Sequence, residues 1–369
     1  MFTMFRKIEL DAPNVGEIEK EYLCKAVDSG FISSVGPFVT EFEKKVTDYV
    51  GAKGAVAVQS GTAAIRISLY EAGIGPGDEV IVPALTFAAT VNPVLYVGAT
   101  PVIVDVDSNT WNMDPVKIKE AITTKTKAII PVHLYGNPCN MKEIIGIARE
   151  YGLYVIEDAT ESLGAKFNDK YTGAFGDFGC FSFNGNKLIT TGGGGMVVGD
   201  DLDKIEHIRY LVNQAKDKER PGFHSEIGFN SRMTNIEAAL GLAQFEKINK
   251  FLEKKEVSRT IYQKVLGDLP WVSFQDKYTD AIESWWFTCI KVEKEINIPE
   301  LMQSLKRKNI PSRRIFMPLN EMPYLKEYSA NCPNASEIYD DGMCLPSSTL
   351  NTEEDIQETA LMIREVLGG

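Results

Sequence analysis

Four places in the chain combine residue types that could hold a small anionic ligand and act on it. The first is Ser60-Gly61-Thr62-Ala63-Ala64, which follows the apolar run 55–59 and opens a helical pattern. Small residues let the backbone approach an anion, and the free N–H groups and dipole of a helix start attract it. The second is Asp158, which closes the apolar run 153–158. The third is Lys187, in a Gly- and Asn-containing loop between the apolar runs 179–183 and 195–199. A lysine amine confined away from water loses proton affinity and becomes a nucleophile toward carbonyls. The fourth is Phe87, just past the run 79–83. Singly, each has an ordinary reading: a helix cap, a carboxylate N-cap, a solvated lysine, a core aromatic. Together they supply a phosphate cradle, a partner for a ring nitrogen, a Schiff-base amine and a stacking plate. That is the set a phosphorylated pyridine aldehyde, pyridoxal 5′-phosphate, requires. The first turn is neither GxGxxG nor a Walker motif, which argues against a dinucleotide or ATP.

Such residues need a scaffold, and the periodicity supplies one. Seven short runs rich in Val and Ile (55–59, 79–83, 101–106, 127–132, 153–158, 179–183 and 195–199) are continuous, as strands buried on both faces are. Helical spacing fills the gaps between the first five, as in 62–73 and 140–152, the latter ending in Gly152. This alternation predicts a mainly parallel sheet with helices on both faces, and ligands outside the carboxyl ends of its strands. Only residues 184–194 separate the last two runs, too few for a parallel crossover, so that pair is expected to be antiparallel. The sheet therefore has about seven strands, one running the other way. A helical stretch over 233–268, with Thr234 or Asn235 as N-cap, leads into a smaller α+β unit. Its expected elements are a strand around 285–292, a helix at 299–309 and a final helix from 352. The division expected is 15–248 for the large domain, and 249–369 with residues 1–14 for the small one.

Composition narrows the partners. The 369 residues carry 39 Lys plus Arg against 51 Asp plus Glu, a net charge of −12, which disfavours nucleic acid and anionic membrane surfaces. Six scattered cysteines without CxxC read as reduced thiols of a cytoplasmic protein, and three histidines make a His-rich metal centre improbable. The N-terminal residues show no signal-peptide core, and no apolar run reaches the length of a membrane span.

The ordered motifs SGTAAI (60–65), EVIVPALTFAAT (79–90), PVHLYGN (131–137), EDATESLGA (157–165), GCFSFNGNKLITTGGGGM (179–196) and EIGFNSRMTNIEAALGLAQ (226–244) resemble the DegT/DnrJ/EryC1/StrS sugar aminotransferases over nearly the whole chain. The resemblance implies an α/β fold of the aspartate-aminotransferase type, fold type I of the pyridoxal-phosphate enzymes. It implies Lys187 as Schiff-base lysine and general acid/base, Asp158 at the pyridine nitrogen, and Gly61, Thr62 and Ser182 at the phosphate. Phe87 would stack on the ring. Glu161 stands where many relatives have Gln or His beside the cofactor's phenolic oxygen. Asn230 would reach the phosphate of a neighbouring subunit, making a homodimer with shared active sites, and Arg232 would assist. Ser34, His133, Arg232, Arg314 and Phe316 are the substrate candidates, although Asn320 replaces the His many relatives carry after Pro318-Leu319. Trp285-Trp286 reads as packing in the small domain, and His207 and His224 as surface residues. The motifs most resemble the branch that aminates UDP-2-acetamido-2,6-dideoxy-4-ketohexoses, toward legionaminic acid and bacillosamine, with L-glutamate as donor and 2-oxoglutarate released. Alternatives are a dTDP- or GDP-linked 4-keto-6-deoxyhexose, a free keto-sugar, or a non-catalytic regulatory member of the fold.

Overall fold

The computed structural model describes residues 7–217, 219–293 and 296–368. Seven of the apolar runs form the main sheet: β1 (Gly54–Val58), β2 (Glu79–Pro83), β3 (Thr100–Val104), β4 (Thr126–Ile129), β5 (Tyr154–Asp158), β6 (Phe178–Ser182) and β7 (Gly195–Gly199). Their order is β1-β7-β6-β5-β4-β2-β3. β7 runs against both of its neighbours, as the short 184–194 connection requires, and every other pair is parallel. Alternate residues feed opposite faces: Val56 and Val58 of β1 join one core, Ala55 and Ala57 another. Burial of such Val and Ile side chains, each worth about 1.5–3 kcal/mol, holds helices on both sides of the sheet.

Local signals set the helix ends. Ser60 Oγ accepts the Ala63 N–H at 3.0 Å and starts the Gly61–Glu71 helix. Gly152, at φ 66°, ends Met141–Tyr151 as its left-handed cap. Thr234 and Glu237 form a reciprocal capping box at Asn235–Phe245.

A second sheet, β8 (Val272–Phe274), β9 (Cys289–Val292), β10 (Arg313–Arg314) and β11 (Gly342–Cys344), is antiparallel in the order β8-β9-β11-β10. It packs with the helices Ile248–Leu266, Ile298–Arg307 and Glu353–Val366 around its own apolar cluster. Two details differ from the sequence reading. The 233–268 stretch is two helices, broken at Glu246–Lys247, where Gln244 and Lys247 both donate to the Asn14 carbonyl at 2.9 Å. No Gly or Pro marks that break, because a tertiary contact makes it. The strand expected around 285–292 begins only at Cys289, after Trp285 turns the chain at φ 48°.

We propose that the two sheets belong to the two units drawn from the sequence. The 248/249 boundary falls at the start of the Ile248–Leu266 helix. The N-terminal segment attaches beside the second sheet: Ser347 N–H donates to the Leu10 carbonyl at 2.7 Å, and Glu9 N–H to Asn351 Oδ1 at 3.0 Å. Residues 1–6 and 369 of that unit lie outside the described residues.

Candidate active site

A cleft of about 450 Å³ opens at the carboxyl ends of β1, β2, β5 and β6 and is walled on the other side by Trp286, Arg313 and Phe316. Gly61, Thr62, Phe87, Asp158, Glu161, Ser182, Lys187 and Phe316 all line it. The helix start at Ser60–Thr62 enters the cleft because glycine permits the approach. A Cβ on Gly61 would lie 2.8 Å from Thr160 Cγ2 and 2.9 Å from Ser182 Cβ, and one on Gly195 would lie 2.7 Å from the Gly61 nitrogen. The N–H groups of Gly61 and Thr62 precede the one that Ser60 caps, and both residues line the cleft, so this helix start can serve as an anion cradle.

Asp158 ends β5 with both carboxylate oxygens held. Thr90 Oγ1 donates to Oδ2 at 2.7 Å, while Thr160 donates to Oδ1 from Oγ1 at 2.7 Å and from its N–H at 3.2 Å. Thr86 backs Thr90 at 2.7 Å between hydroxyls. Three donors on a buried carboxylate fix its direction and offset its loss of water.

Lys187 Nζ lies 3.6 Å from Glu161 Oε1 and 3.6 Å from the centroid of the Trp286 ring. Burial lowers its amine below the ordinary lysine range; Glu161 and Asp158 work against that shift, and Arg313 adds to it. Glu161 is pushed the other way, upward, chiefly by burial, with Lys187 and the Tyr135 N–H opposing. That N–H donates to Glu161 Oε2 at 2.9 Å from a tyrosine held at φ 56°, a conformation costing a non-glycine residue about 1–3 kcal/mol. Trp286 is itself tied to the lysine loop, its Nε1–H donating to the Asn186 carbonyl at 2.7 Å. Phe87 is 58 % exposed, its ring 5.6 Å from that of Phe316, so it is a wall of the cleft and not a core residue.

A sequence model of the DegT/DnrJ/EryC1/StrS aminotransferase family matches residues 13–364. The chain belongs to this family. It is 40 % identical to the GDP-perosamine synthase of Caulobacter vibrioides, over 98 % of both chains. It is 39 % identical to EpsN of Bacillus subtilis, described as a pyridoxal phosphate-dependent aminotransferase, over 95 % of this chain and 94 % of that one. Among solved structures, the Streptococcus pneumoniae protein Spr1654, described as a sugar aminotransferase and solved in its PMP form, superposes with a TM-score of 0.93 at 26 % identity, covering 98 % of each chain. The chain is thus a pyridoxal-phosphate-dependent sugar aminotransferase of fold type I.

The residues present fit that cofactor. A glycine-lined helix start can take its phosphate, a fixed buried carboxylate its ring nitrogen, and a partly desolvated amine its aldehyde. Several other sequence candidates stand elsewhere. His133 is fully buried outside the cleft: its Nδ1 accepts the Cys139 N–H at 3.1 Å, and its Nε2 meets Glu157 Oε2 at 3.0 Å. Glu157 and Asp158 are consecutive on β5 and face opposite sides, which puts the histidine's partner away from the cleft. Arg314 donates to the Tyr339 carbonyl at 2.5 Å and stacks on that ring at 4.2 Å. Strand alternation in β10 turns its neighbour Arg313 into the cleft instead. Arg232 pairs with Glu43 at 3.3 Å. Ser34 is half-buried in a segment pinned by Asn235, which accepts the Phe38 N–H at 2.9 Å and donates to the Phe31 carbonyl at 2.7 Å. Asn230 is exposed and, like Ser34, does not line this chain's cleft. Trp286, read from sequence as packing, is a cleft residue over the lysine amine; the signal available was its place beside a β-strand start, which did not show its direction.

Proposed function

We propose that the enzyme moves the amino group of L-glutamate to the 4-keto carbon of a nucleotide-linked 6-deoxyhexose, in two half-reactions at one cleft. The observation that carries this is the joint placement of Lys187 and Asp158 at the same cleft, the amine depressed by burial and the carboxylate fixed by three donors. Bound pyridoxal 5′-phosphate supplies the aldehyde and the electron-withdrawing ring. Gly61, Thr62 and Ser182 would hold its phosphate, Phe87 would cover its ring face, and Asp158 would favour the protonated ring nitrogen. Lys187 Nζ would take up the proton from the donor's Cα in the first half-reaction and supply one to the sugar carbon in the second. Asn230, exposed on its loop, is assigned to the phosphate of a second subunit in a homodimer.

Arg313 is the donor's anchor. Its Nε and Nη2 are buried without a hydrogen-bond partner among the described residues, and its Nη1 stands 3.4 Å from Asp11 Oδ2. A guanidinium with uncommitted N–H groups in a cleft suits a carboxylate. Arg313→Gln should raise KM for glutamate about 10- to 100-fold, the worth of a charge-assisted hydrogen bond, with kcat changed far less. Steady-state rates with the donor varied will show it.

For the acceptor, EDATESLG with SFNGNK supports a UDP-linked 2-acetamido-4-ketohexose. A GDP-linked sugar is the second reading, supported by 40 % identity to a GDP-perosamine synthase. Protein loaded with pyridoxamine phosphate should aminate one of the UDP-, GDP- and dTDP-linked 4-keto-6-deoxyhexoses at least about tenfold faster than the others, since a site built for one base leaves polar groups unpaired with another. Mass spectrometry of the products decides which; failure to aminate any of the three would refute the proposal.

A further inference from the structure

Glu161 lines the cleft beside the lysine amine. Among the described residues it is the one carboxylate paired with Lys187, Oε1 to Nζ at 3.6 Å. Its other oxygen is anchored by the Tyr135 N–H at 2.9 Å, which leaves Oε1 facing the amine. Asp158, the other carboxylate in the cleft, has both oxygens committed to Thr90 and Thr160. The Trp286 face closes a further side of the amine, 3.6 Å from ring centroid to Nζ.

On the reading that Lys187 forms the imine with the cofactor aldehyde, we propose that Glu161 is its proton shuttle. Oε1 takes a proton from the Lys187 ammonium, freeing the amine to add to the aldehyde, and returns that proton to the hydroxyl that departs as water. The balance closes. The ammonium begins with three protons and the protonated imine nitrogen keeps one. Of the other two, one passes from nitrogen to oxygen within the adduct and one travels through Glu161, so both leave with the aldehyde oxygen as water. A C–N bond forms, the C–O bond breaks, and nothing is oxidised or reduced. Glu161 ends as the carboxylate it began as, now beside a cationic imine.

The surroundings act on both partners of the transfer. Burial raises the Glu161 carboxyl and lowers the Lys187 amine, so their proton affinities approach one another. Asp158 raises both groups and Arg313 lowers both, so these neighbours move the pair together and do not separate it. The Tyr135 phenol, pushed well up by burial with the Cys344 and Cys289 thiols beside it, stays neutral.

The test is the rate at which apoprotein forms the imine with added pyridoxal phosphate, followed by absorbance. Glu161→Gln keeps an acceptor for the Tyr135 N–H but cannot carry a proton; it should slow imine formation by about 100-fold or more, the usual worth of a positioned acid–base group. Near-ultraviolet circular dichroism checks that Trp286 and its neighbours are still packed. In Glu161→Ala, added formate should restore part of the rate, which a merely structural carboxylate would not allow. Imine formation in Glu161→Gln within about threefold of wild type, or no response of Glu161→Ala to formate, overturns the shuttle. Loss of the Lys187 assignment would show differently, as wild-type protein that forms no imine at that residue.

Discussion

Replacing Lys187 by Ala should lower turnover by about 10⁴-fold or more while the protein still binds pyridoxal phosphate. One amine is asked to do two things, to bind the aldehyde covalently and to move the proton of the donor's Cα, and a positioned acid–base group alone is worth about 10²–10⁴-fold. No neighbour can take over the covalent role: Asp158 and Glu161 are carboxylates, which form no imine, and Arg313 does not give up its proton. Cofactor binding should persist because the cradle at Gly61 and Thr62, the Asp158 carboxylate and the Phe87 ring are untouched. Steady-state rates and equilibrium dialysis of the cofactor, run on the same preparation, separate the two effects.

The second large effect belongs to Asp158. Asp158→Asn removes a fixed negative charge aimed into the cleft while keeping size and hydrogen-bonding capacity. Thr160 can still donate to the amide oxygen, and the Thr90 hydroxyl can turn to accept from the amide nitrogen. The fold should therefore survive, with a melting temperature within a few degrees of wild type. Turnover should fall by about 10²–10³-fold, the cost of losing one preorganised electrostatic partner of the developing charge. Asp158→Ala should also destabilise the protein, because it strands the Thr90 and Thr160 hydroxyls and leaves a cavity. Comparing kcat and thermal unfolding for the two variants separates the lost charge from the lost packing.

The sheet and most of the residues lining the candidate cleft were legible in the sequence because both rest on local rules. Strands buried on both faces must be continuously apolar, and the connection 184–194 is too short to bring β7 back parallel, so its direction followed from counting residues. A helix opening on Ser60-Gly61-Thr62 at a strand end has one place to point. What the sequence could not show depended on parity or on distant contacts. Arg313 and Arg314 are adjacent on a two-residue strand, and only the pairing of Arg313 with Cys344 and of Arg314 with Met343 decides which arginine enters the cleft. His133 sits in a motif close to the residues lining the cleft, yet Glu157, on the far face of β5, captures it. Trp286 is brought over Lys187 by a left-handed turn at Trp285 and by the Asn186 carbonyl, neither of which leaves a periodic trace. The break at Glu246–Lys247 likewise reflects a tie to Asn14, more than 200 residues away.

Lys255 is the chemical competitor of Lys187. Burial pushes its amine down to about 7, but it donates to the Trp286 and Ser347 carbonyls at 2.8 and 2.5 Å and does not line the cleft. Borohydride reduction of the pyridoxal-phosphate-loaded enzyme, followed by peptide mapping, distinguishes the two amines. The cofactor's mass should be found on the peptide carrying Lys187 and nowhere else. Its appearance on Lys255 or another lysine, with Lys187 unmodified, would contradict the account.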